Sequence, residues 1–212
     1  MRAYGLAAAV LGVVASGTTA RGQKPGPPVD VTVYVTDGGL VPSAEKWAAR
    51  VITGRMFAHV GVRIAWLDGK PGTAAAFASP VVIHVRFLQQ TMRNHSSEAL
   101  AYVTPFAEGA NTITVLVDRI RLVTGWPTPE PHIILAHVLA HEIGHVLLGS
   151  ERHAPTGVMK ARWDRPDFDA MEKEQLEFTS TDVDLIRERL NRLKAELGIR
   201  LATPPRSVPP RG

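Results

Sequence analysis

The chain of 212 residues contains no cysteine. That absence excludes disulfides, a lipid anchor through an N-terminal cysteine, and the cysteine-rich ligand sets of structural metal sites. Charge of one sign is also scarce: the net charge is +4, and the basic residues are scattered without a dense stripe, so nothing in the composition points to nucleic acid. The N-terminal apolar run at residues 6–14 is too short for a stable membrane anchor. Internal repeats and long low-complexity regions are absent as well. What is present is 45% hydrophobic residues, enough at this length for one domain with a real core.

The first twenty residues read as a secretory signal. Arg2 supplies the positive start, residues 6–14 the apolar run, and Thr18-Thr19-Ala20 the small-residue cleavage site, with Gly17 as a rival position. The expected organisation is a signal at 1–20, a flexible Gly/Pro-rich lead-in at 21–28, a single folded domain at 29–198 and a disordered Pro/Arg-rich tail at 199–212. A secreted or periplasmic address follows, and with no disulfide the fold must be held by its core.

Val31, Val33 and Val35 alternate with Thr32, Tyr34 and Thr36, the period of a half-buried strand. Ser43 is the expected N-cap of a helix to about His59, with Trp47, Val51, Ile52 and Met56 toward the core. Residues 62–66 read as a second strand and 81–87 as a third, where His84 and Arg86 fall on the face opposite Val81, Ile83, Val85 and Phe87. His84 is therefore expected to be a satisfied surface residue. Residues 99–104 form a short strand stopped by Pro105, as an edge strand tolerates, and 113–117 a fifth. Thr128-Pro129-Glu130 opens a helix whose apolar residues cover most of its circumference, which places it against a sheet. Residues 164–177 read as a charged connector, and Ser180 as the cap of a last amphipathic helix ending at Gly198.

The densest chemistry lies in His141-Glu142-Ile143-Gly144-His145. Two histidines four apart share one helix face and can grip one metal ion, while Glu142 points toward water activated there. A catalytic zinc takes three protein ligands and keeps one position open, so a third donor must come from beyond the helix. Gly149 can end the helix in the left-handed conformation and let the chain bring His153 back. Thr156-Gly157-Val158-Met159 then makes a tight turn ending in a soft apolar side chain that can floor the site.

Residues 141–159 resemble the metzincin zinc peptidases, whose pattern is HExxHxxGxxH followed by a methionine turn. Here the glycine falls four residues after His145 and the third histidine eight after it. The resemblance, which extends in element order over residues 29–198, implies an α+β fold: a mixed twisted sheet of about five strands with a long helix, a buried active-site helix and a C-terminal helix. It implies one catalytic Zn²⁺ held by His141, His145 and His153, and Glu142 as general base in peptide-bond hydrolysis. It also implies that a peptide or protein substrate lies along the edge strand as an added antiparallel strand.

Alternatives stay open at several positions. Glu172, Glu174 or Glu177 could supply the third ligand in place of His153. His137, four residues before His141, reads as a helix-surface residue or a partner of a ligand, because Val138 follows it where the glutamate should be. Trp126 and Trp163 read as packing residues. The alternative function is a secreted zinc-binding module or inactive peptidase relative that keeps the metal for stability; an intact Glu142 argues against it.

Overall fold

The structure, a computed structural model, describes residues 29–72, 75, 79–89, 99–105, 110–123, 129–173 and 176–202. The expected signal and lead-in, Trp126, Thr128, Glu174 and the tail from Thr203 lie outside the described residues. Five strands form one mixed sheet: β1 (Val31–Thr36), β2 (Ile64–Asp68), β3 (Val81–Leu88), β4 (Ala101–Thr104) and β5 (Asn111–Leu116), in the spatial order β2-β1-β3-β5-β4. The first three and β5 run parallel, and β4 closes one edge antiparallel to β5. The helices are α1 (Ser43–His59), α2 (Val117–Val123), α3 (Pro131–Leu148), α4 (Arg165–Lys173) and α5 (Ser180–Ala202). The α+β class and the five-stranded mixed sheet agree with the expectation.

β-Branched residues build the strands, and Val31, Val33, Ile83, Val85, Ile113 and Val115 are all fully shielded from solvent. Interior parallel strands are covered on both faces. That corrects the reading of His84, which is 3% exposed and pairs with Thr36, Nε2 to Oγ1 2.8 Å. α1 and α3 lie side by side, where the buried Thr53 hydroxyl is within 2.8 Å of Ala49 O and 3.0 Å of Ala136 O. Met56 joins this core as expected, but Trp47 is 69% exposed. Its helix position turns outward, so the expected core contact is not made.

Several boundaries moved. β2 starts two residues later than expected; Val62 is buried ahead of it. Val117 opens α2, a short helix the sequence reading assigned partly to strand. α3 begins with Pro131 at its first position and Glu130 as its cap residue, not at Pro129. The charged connector contains α4. At α5 the cap is Thr179, not Ser180: Thr179 N–H and hydroxyl donate to Asp182 Oδ2 at 3.2 and 2.6 Å, and Asp182 N–H donates to Thr179 Oγ1 at 3.2 Å, a reciprocal capping box. The helix also runs through Gly198 to Ala202.

The β4 register fixes which main-chain groups face out. Leu116 N–H donates to Leu100 O at 2.9 Å, and antiparallel pairs alternate between bonded and non-bonded. Tyr102, opposite Thr114, therefore turns its main-chain groups to β5. Ala101 and Val103 turn theirs to the open edge.

Candidate metal centre

α3 carries the site because it is pinned all round. Twelve of its eighteen residues are buried, so the helix cannot rotate without exposing apolar surface. It stops at Gly149, φ 64°, whose N–H returns to His145 O at 2.9 Å. This is the left-handed stop expected at that glycine. The chain then reverses and closes on itself, Ala154 N–H donating to Met159 O at 2.8 Å, and Val158 N–H is taken by Glu177 O at 3.0 Å.

This reversal brings His141, His145 and His153 together, with one ring nitrogen from each lying within 4.8 Å of the others. His141 Nδ1 lies 2.8 Å from Val158 O and His145 Nδ1 lies 3.1 Å from Ser150 O. A carbonyl only accepts, so both Nδ1 atoms carry the hydrogen and both Nε2 atoms are bare. Those two bare Nε2 atoms face each other at 3.0 Å. Lone pair against lone pair is repulsive unless a cation sits between them. A tetrahedral zinc with Zn–N of about 2.0–2.1 Å would set two donors about 3.3 Å apart, so the spacing suits such an ion. Burial holds His141 down to about 4 and lowers His145 as well, which keeps both rings neutral near pH 7, the form that binds metal.

Glu142 is 8% exposed, and burial pushes its carboxyl up to about 7. A bound cation nearby would pull it back down. On the other side of the helix turn, Met159 is fully buried under Gly144, where an added Cβ would lie 2.5 Å from Met159 Sδ. The glycine inside the motif is thus the space that the methionine occupies. Trp163 meets His141 edge-on with ring centroids 5.6 Å apart, and His137 at 6.4 Å.

His137 does not join the three rings. It is fully buried and not on the helix surface, and both of its nitrogens are used: Nδ1 toward Ile133 O at 2.8 Å and Nε2 toward Leu176 N–H at 3.2 Å. Glu172 and Glu177 are exposed and stand outside the cluster, while Glu177 contributes its backbone carbonyl to Val158. Sequence reasoning missed Gly144, the carbonyls of Ser150 and Val158, and the ion pair of Arg152 with the buried Asp182. Backbone carbonyls carry no residue signature, so only the Thr179-x-x-Asp182 spacing could have hinted at this region.

No protein-family model matches the sequence, and no curated protein matches it. Among solved structures the chain is similar to archaemetzincin from Methanopyrus kandleri, at 18% identity over 79% of this chain and 98% of that chain, with a TM-score of 0.48. A likeness this distant assigns neither activity nor ligands.

Proposed function

We propose that this chain is a zinc-dependent endopeptidase in which His141, His145 and His153 hold one Zn²⁺ and Glu142 is the general base. The observation that carries the reading is the facing pair of bare Nε2 atoms at 3.0 Å, each fixed by a carbonyl behind it, with His153 closing the third side. Imidazole nitrogens suit zinc, and three protein donors leave the open position that catalytic sites keep. Zinc, when bound, supplies Lewis-acid polarisation and brings the pKa of water from 15.7 toward roughly 7.

The chain's own residues do the rest. Glu142 takes a proton from the attacking water and passes it to the leaving amine. Its burial keeps bulk water from competing for that proton. Val158 O and Ser150 O hold the rings of His141 and His145 in the tautomer that presents Nε2. Export to the cell exterior or periplasm belongs to the same reading and rests on residues 1–20 alone.

The test joins metal analysis of the purified protein to cleavage of a mixed peptide library with and without a chelator. Bound zinc at one equivalent, with hydrolysis lost on chelation and restored by zinc, supports the reading. Zinc without hydrolysis would leave a metal-stabilised binding module, and absence of zinc binding overturns both.

A further inference from the structure

The loop from Gly149 to Lys160 does three things for the site: it carries His153, and its Ser150 and Val158 carbonyls orient the other two rings. Besides its contacts with α3, three holds on this loop come from one stretch, residues 177–189. Glu177 O takes Val158 N–H at 3.0 Å, Asp182 pairs with Arg152, and the Arg189 guanidinium lies against Gly149, where an added Cβ would come within 2.5 Å of Arg189 Cζ. The C-terminal helix is therefore the back wall of the loop.

The three histidines are not equally secured. His141 and His145 each have a carbonyl behind the ring. Among the described residues the His153 ring has no hydrogen bond, and the residue is exposed. Beyond ring contacts with His141 and His145, at centroid distances of 5.4 and 4.9 Å, its position is set by the chain on either side. On one side that chain is Arg152, whose guanidinium reaches a carboxylate with no solvent exposure. Asp182 cannot shift to follow a moving arginine, because its other oxygen takes the Thr179 N–H and hydroxyl at 3.2 and 2.6 Å. A buried carboxylate stripped of this cation would be costly, so the arginine is held as firmly as it holds. Fixing the Arg152 end fixes the backbone that enters His153.

We infer that Arg152, through Asp182, is a positioning residue for the third metal donor, a role that presupposes the zinc reading above. The pair should set how tightly zinc is held, and do so only through His153. Outer contacts of this kind are worth about 10- to 100-fold in metal affinity.

The test measures zinc affinity by competition with a chromophoric chelator, together with apoprotein Tm, in full-length protein. Arg152→Met alone strands a buried charge, so the principal variant is the double Arg152→Met/Asp182→Asn, which removes both charges and leaves an oxygen to accept from Thr179. Zinc affinity is expected to fall about 10- to 100-fold. In a His153→Ala background the same double change should alter the residual affinity by less than about twofold, since the donor it positions is gone. Arg152→Lys, which keeps the charge but loses the fork, should fall between wild type and the double. An equal loss in both backgrounds would show that the pair supports the fold at large and not His153. Unchanged affinity in the double variant would overturn the inference while leaving the zinc reading intact, and a wild-type chain that binds no zinc would remove both.

Discussion

His137 and Leu176 are joined across the core, the Leu176 N–H donating to His137 Nε2 at 3.2 Å while His137 Nδ1–H is given to Ile133 O. The ring has no lone pair left for an ion. His137→Ala should therefore keep its zinc and lose stability, by about 1–3 kcal/mol for the Leu176 N–H left buried and unpaired. His153→Ala should show the reverse, with little change in apoprotein stability and most of the zinc lost. Metal content and urea unfolding of the two variants decide this; equal zinc retention would move the third ligand to another residue.

The same ring predicts an acid sensitivity. Burial lowers the His137 pKa below its ordinary 6.5, so the folded protein binds the proton less readily than the unfolded chain. Stability from this group is complete above pH 6.5 and is lost as pH falls from there toward the folded value. Apoprotein unfolding followed between pH 7.5 and 5 should show this loss, and His137→Asn should blunt it. An undiminished slope in the variant would assign the effect elsewhere.

Glu142→Gln should fold, hold zinc and lose peptide hydrolysis by about 10²- to 10⁴-fold. The amide matches the carboxylate in shape but does not accept a proton. Single-turnover peptide cleavage against metal content reads the two properties separately, and an active Glu142→Gln protein would end the general-base assignment.

Gly144 and Met159 make a sign test. Alanine in a helix interior gains about 1 kcal/mol over glycine, but here its Cβ meets the fully buried Met159 sulfur, and overpacking costs about 1–3 kcal/mol. Gly144→Ala should thus destabilise the wild type. In a Met159→Ala background, with the sulfur gone and room for Phe178 Cε1, 3.2 Å from the added Cβ, to shift into the space left, it should stabilise. Chemical denaturation of the four proteins checks the reversal, and the same sign in both backgrounds would mean the methionine can move away.

On β4, Ala101 offers its N–H to the open edge and Tyr102 gives its own to β5. Ala101→Pro should leave fold and zinc in place and raise the KM for peptides, whereas Tyr102→Pro should lower Tm by removing a ladder bond. Unchanged KM in Ala101→Pro would show that substrate does not lie along this edge.

Much of the fold was readable because it is local. Alternating Val and Thr mark β1, and Gly149 after an all-round apolar helix marks the stop of α3 to the residue. The spacing of His141 and His145 is a helix property, so their meeting is written in the sequence. His84 and Trp47 were misjudged for the opposite reason: alternation and helical period give a side chain's direction, while burial depends on what the rest of the chain places there. α2 was missed because the run Ile113 to Val117, β-branched except for Leu116, carries no mark at the point where strand becomes helix. The Arg152 and Asp182 contact joins residues thirty apart, with nothing in either neighbourhood to announce the other.

The three ring donors all fall between residues 141 and 153, within one uninterrupted stretch of chain. A cross-link that closes so short a loop removes little entropy from the unfolded chain, and it ties none of the five strands to another. An ion held there would thus be a local fastener and not a staple of the whole fold. In zinc-loaded protein, hydrogen exchange after chelation should accelerate from about residue 149 to 160 and stay slow in β1, β3 and β5, so that stripping the metal would loosen the centre without dismantling the sheet behind it.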